Sequence, residues 1–84
     1  PQGEVGRGRI PVHIKAYDRT GLLHEIAGVI SNEKINMSAV NVSREKNIAT
    51  LYITLEISDI AQLSRILTKI ESLSNVIEAR RHTG

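Results

Sequence analysis

The chain has no cysteine, which excludes disulfides, thiolate nucleophiles and cysteine-based metal centres. It has no phenylalanine and only two tyrosines, so the basic-aromatic signature with which RNA-recognition modules stack bases is missing. No apolar run approaches the ~20 residues of a membrane span, and there is no signal peptide. Eleven basic and nine acidic residues leave a formal net charge of +2, too little by itself to argue for nucleic-acid binding. What remains is 84 residues, one domain at most, with a hydrophobic fraction of 40% that suffices for a single core. These features fit a cytoplasmic protein without a membrane partner. The first residue is Pro1 rather than methionine, and the chain reads as a piece cut from something longer.

Three glycines among residues 1–8 cannot hold a regular element, so this stretch is expected to be a linker or cloning remnant, with the domain spanning 9–82. From Arg9 to Tyr17 polar and apolar residues alternate, with Ile10, Val12, Ile14 and Ala16 on one face of a half-buried strand. Pro11 donates no ladder hydrogen bond and is expected at the first paired position or at a bulge. Leu22, Leu23, Ile26, Val29 and Ile30 follow helical spacing, with Asp18 or Thr20 as the expected cap. A second strand, Ile35 to Arg44, changes parity between Met37 and Ala39 on one side and Val40 and Val42 on the other. A bulge or a two-sided environment would produce that change. The polar turn Glu45-Lys46-Asn47 leads into the clearest strand, Ile48 to Ile57, as a hairpin. Ser58-Asp59 caps a second helix with the stripe Ile60, Leu63, Ile66, Leu67 and Ile70, and Val76 to Arg81 is a last strand. The order β-α-β-β-α-β predicts an α+β, ferredoxin-like domain. A four-stranded antiparallel sheet has its first and third strands at the centre and both helices on one face.

Catalytic machinery is hard to find. His13, His24 and His82 have no shared helical spacing, and no metal site or cofactor is expected from them. The acidic residues lie on separate elements, and no base accompanies any serine or threonine as an activated nucleophile needs. Two features carry more. At Asp18-Arg19-Thr20-Gly21-Leu22-Leu23 a strand gives way to a glycine turn and a helix. The unpaired amides of the helix's first turn make that junction a site for an anion or carboxylate. The open sheet face is expected to carry Arg9, His13, Lys15, Tyr17, Tyr52 and Arg80, where tyrosines beside cations could stack on bases or pack against a protein.

With this topology, four stretches carry a resemblance to the ACT domain, and more narrowly to the C-terminal ACT domain of RelA/SpoT-type (p)ppGpp synthetase/hydrolases. They are Ala16 to Leu23, Asn32-Glu33-Lys34-Ile35-Asn36, Ala39-Val40-Asn41, and Asn75 to Arg81. The resemblance implies a noncatalytic regulatory module whose catalytic domains lie elsewhere in the parent chain. It implies ligand binding, often of a small amino acid, between two copies. Gly21 would lie beside the ligand, Asp18, Arg19 and Thr20 around it, and Asn36 and Ser38 near the same pocket. It implies a homodimer, and a role in transmitting ribosomal state, through ribosomal RNA among other partners, to (p)ppGpp synthesis and hydrolysis. The alternative is an RNA- or protein-docking module that uses the open face and takes no metabolite. An acylphosphatase-like enzyme ranks last, because no asparagine can be named as the partner of Arg19.

Overall fold

The computed structural model describes residues 8–82. Its elements run β1 (Gly8–Tyr17), α1 (Leu22–Asn32), β2 (Asn36–Glu45), β3 (Ile48–Ile57), α2 (Ile60–Glu71) and β4 (Val76–Arg81). The expected linker at 1–8 lies outside the described residues except for Gly8, which opens β1. The strand order is β2-β3-β1-β4, and every neighbouring pair is antiparallel. The fold is thus the ferredoxin-like one that the sequence predicts.

The core is aliphatic. Ile10, Val12, Ile14 and Ala16 from β1 meet Ala49, Leu51, Ile53, Leu55 and Ile57 from β3, under Leu22, Ile26 and Ile30 of α1 and Leu63, Ile66 and Ile70 of α2. Strict alternation on β1 and β3 puts every second side chain under the helices. Two expected members fall outside. Leu23 is 39% exposed, because one residue step of roughly 100° turns it off the face that Leu22 and Ile26 bury. Ile60 is exposed because it stands at the very start of α2.

Helix α2 is capped as expected: the Gln62 amide donates to Asp59 Oδ1 at 2.8 Å, and the Ser58 amide donates to Gln62 Oε1 at 2.7 Å. Helix α1 is not. Its N-cap is Gly21, at φ 84°, and neither Asp18 nor Thr20 supplies a side-chain cap. Pro11 also departs from expectation. It sits inside the β1–β3 ladder opposite Thr54, at neither a first pair nor a bulge. Its carbonyl accepts from the His82 amide at 2.9 Å, so its missing donor faces the β4 side just past Arg81, where that ladder ends.

A bulge on β2 explains the change of parity. Met37 pairs with Leu55 and Ala39 with Thr54, which leaves Ser38 as the extra residue. Met37 before the bulge and Val40 and Val42 after it therefore share the helix side of the sheet. The helices barely reach that edge: Val42 is partly buried, Met37 is exposed and Val40 is 39% exposed.

Candidate functional site

The β1–α1 turn is built by backbone bonds from three loops that meet at one end of the sheet. The Tyr17 amide donates to the Asn75 carbonyl and the Asp18 amide to the Asn47 carbonyl, each at 2.8 Å. The Leu22 amide folds back on the Arg19 carbonyl at 3.2 Å, and the Glu25 amide begins the helical pattern on Gly21 at 2.9 Å. Between them, the Leu23 and His24 amides find no partner among the described residues. They are first-turn donors at the positive end of the helix dipole. The left-handed backbone at Gly21 makes this possible, and it suits glycine because a Cβ disfavours that region.

A cavity of ≈ 190 Å³ opens beside these amides. Arg19, Thr20, Gly21, Leu22, Leu23 and His24 form its wall, Val42 and Arg44 come from β2, and Ala49 and Leu51 make an apolar floor. Asp18 does not line the cavity; its carboxylate pairs with the lining residue Arg44 at 3.2 Å. Arg19 pairs with Glu25 of the first turn and donates to the Thr20 carbonyl at 3.3 Å. Both guanidiniums are thus paired within the chain, and the two free amides above an aliphatic floor suit a small carboxylate with an apolar side chain.

The structure brings Asp18 through Leu23 together and leaves Asn36 and Ser38 apart from them. β1 and β2 run parallel, so β2 begins at the opposite end of the sheet. Asn36 pairs with Glu56 there and lines a separate cleft with Arg9 and Lys34. The expectation that Asn36 and Ser38 lie near the turn fails within one chain. Arg44, Val42 and Leu51 were missed as lining residues. The strand register that delivers them depends on pairings far apart in sequence.

The open face holds Arg9, His13, Lys15, Tyr17, Tyr52 and Arg80 on one side of the sheet, as the alternation requires. Its charges are compensated in part: Arg9 lies 3.8 Å from Glu56 and Arg80 lies 3.6 Å from Glu78. Tyr17 is 54% exposed and Tyr52 42%. His13 Nε2 donates to Glu78 Oε2 at 3.0 Å. That bond, with smaller help from Arg80 and Lys15, holds the Glu78 carboxyl below the ordinary glutamate range against an opposing desolvation effect. Among the described residues, no three histidine, aspartate or glutamate side chains converge to hold a metal ion, and no helix is long and apolar enough to cross a membrane.

Comparison with known proteins agrees with the fold. Residues 9–81 match the ACT domain family. The chain is 39% identical over 74 residues to a GTP pyrophosphokinase of Haemophilus influenzae, covering 86% of this chain and 10% of that one. It is 37% identical over 75 residues to the GTP pyrophosphokinase of Escherichia coli K12, covering 87% and 10%. It therefore spans about a tenth of the length of these curated relatives. In structure it is similar to the ACT domain from GTP pyrophosphokinase of Chlorobium tepidum, with TM-score 0.79, 20% identity, and 89% and 97% of the two chains covered. The small subunit of acetolactate synthase from Thermotoga maritima shares the fold, with TM-score 0.75, 17% identity, and 87% and 46% covered. With the family matched from the first strand to the last, the chain belongs to the ACT domain family.

Proposed function

We propose that this chain is the regulatory, noncatalytic ACT module of a GTP pyrophosphokinase of the stringent response, and that it senses a small amino acid at the Gly21 turn. The observation that carries the reading is the pair of unpartnered amides, Leu23 and His24, opening onto an apolar floor of Ala49 and Leu51. A ligand carboxylate would take those amides and its side chain would lie over Val42 and Leu51. A ligand that favours one domain arrangement shifts the parent enzyme by its difference in affinity, typically ~1–3 kcal/mol.

The reading includes a homodimer. β2 is a ten-residue edge strand with Met37 and Val40 exposed on its helix side. Antiparallel pairing of two β2 edges about a two-fold axis between Val40 and Asn41 sets Asn36 of the partner subunit opposite Glu45. The start of the partner's β2 then lies beside the turn, and the two halves of the expected site meet across the interface.

Titration of the isotope-labelled chain with single amino acids tests this. The amides of Gly21 to Leu23 should shift at saturable concentrations, with the mass in solution at twice the chain mass. Amides that stay still for every amino acid would overturn the sensor reading. The exposed Tyr17 and Tyr52 favour the second reading, docking of RNA through the open face. In that case Lys15, Tyr17 and Tyr52 respond to RNA instead, and the binding weakens steeply with salt.

A further inference from the structure

The sheet brings His13 of β1, Glu78 of β4 and His82 just past β4 together, although His13 and Glu78 are 65 residues apart in sequence. A carboxylate only accepts hydrogen bonds, so the Glu78 contact places the His13 proton on Nε2. In the neutral ring the lone pair then belongs to Nδ1. That atom is shut off from water and has no hydrogen-bond partner. The His13 and His82 rings stand edge to face, their centres 5.6 Å apart. The His82 backbone is pinned by its bond to Pro11, while its side chain is exposed at the strand end and can turn.

These distances suit two imidazoles on one metal ion. A bond of about 2.0–2.1 Å, plus about 1.1 Å from nitrogen to ring centre, puts each centre roughly 3.2 Å from a shared ion. Ring centres are then about 5.2 Å apart at the tetrahedral angle and about 6.4 Å apart when the rings are opposite. The observed spacing falls between those limits. Glu78 on the far nitrogen is the outer partner that metal-bound histidines generally have, fixing the tautomer and raising ligand basicity. We propose that His13 and His82 form a two-histidine site for a borderline divalent transition cation such as Zn²⁺ or Ni²⁺, with Glu78 orienting His13 and water reaching the ion only from the exposed His82 side. Nitrogen ligands select against Mg²⁺ and Ca²⁺, which prefer oxygen. The site lies on the open face, away from the Gly21 turn, and stands or falls independently of the sensor reading.

The test uses the 84-residue chain at slightly alkaline pH. Substoichiometric Ni²⁺ should broaden the ring resonances of His13 and His82 before those of His24, which is exposed on α1. Calorimetry with Zn²⁺ should show His82→Gln and His13→Gln each weakening binding by at least tenfold, Glu78→Ala weakening it by about 10-fold or more, and His24→Gln leaving it unchanged. His82→Gln changes an exposed strand end, so an otherwise unchanged amide spectrum confirms its fold. Broadening that reaches His24 at the same Ni²⁺ level, or Zn²⁺ affinity unaltered in His82→Gln, overturns the proposal.

Discussion

Replacing Gly21 and, separately, Gly28 by alanine makes one chemical change in two places with opposite expected signs. A Cβ added at either position meets nothing within 4 Å, so neither substitution clashes. What differs is the backbone. Gly21 has φ +84°, whereas Gly28 lies within α1. An alanine held in the left-handed region costs ~1–2 kcal/mol. Its reduced freedom in the unfolded chain returns ~0.4–1 kcal/mol. The net loss at Gly21 is therefore about 1 kcal/mol, while alanine in the helix at Gly28 gains ~0.5–1 kcal/mol. A domain of this size moves its melting temperature by ~4–8 °C per kcal/mol. Melts followed by circular dichroism at neutral pH should thus show Gly21→Ala falling by several degrees and Gly28→Ala rising. D-alanine at position 21, introduced by chemical synthesis, favours positive φ and should recover the parent midpoint or exceed it. Gly21→Ala melting at or above the parent would refute the turn geometry on which the free Leu23 and His24 amides depend. A loss at Gly28→Ala that grows with protein concentration would instead reveal a second copy packed on α1.

Ile53 is 1% exposed at the centre of β3, so Ile53→Ala should cost ~2–5 kcal/mol in urea unfolding, and a near-neutral result would reverse the facing of that strand. Asp59→Ala removes the α2 cap and should cost ~1 kcal/mol, with Asp59→Asn recovering most of it in the same assay. The Glu33 carboxyl is held below its ordinary range, chiefly by its hydrogen bond from Lys69 and also by Arg65, with desolvation opposing. A carboxyl depressed in the folded state stabilises above its unfolded pKa of ~4.3 and loses that contribution as pH falls through its folded value. The melting temperature should therefore drop on acidification below about pH 5, and Glu33→Gln should flatten that limb; an unchanged acid limb would show that the contact adds nothing. Val40→Lys places a charge on the proposed edge interface, so sedimentation should find a monomer with its fold intact, and a persistent dimer would exclude β2 pairing.

Elements governed by local rules were legible in the sequence. Alternation over Ile48 to Ile57 set the facing of β3, and Ser58-Asp59 marked the start of α2. The parity change between Met37 and Val40 left a bulge and a two-sided environment open, and only the pairing register decides for the bulge and makes Ser38 the extra residue. The misreadings share a physical source. Asp18 has the side chain of a helix cap, but Arg44, delivered by β2, takes its carboxylate, and a glycine in the left-handed region opens α1 instead. Leu23 fits a helical stripe loosely drawn, yet packing selects a narrower arc centred on Leu22, Ile26 and Ile30. The surroundings of His13 are set by register across three strands, which no local pattern encodes.

The geometry of the turn also bears on how a ligand could act. Asn47 and Asn75 fasten the end of β1 from two sides, so the amides of Leu23 and His24 are already positioned before any guest arrives. Preorganisation of that kind favours tight binding but leaves little room for the turn itself to change shape. A ligand shifts an equilibrium only through unequal affinity for its two states. The unequal element must then lie outside the turn, and the proposed pairing of two β2 edges would meet the requirement. Arg44 and Val42 line the cavity from that edge strand, whose helix side the domain leaves largely uncovered. A guest touching both the fixed turn and a neighbouring β2 would favour the paired arrangement over the separated one. The coupling would then be read as a dependence of ligand affinity on protein concentration.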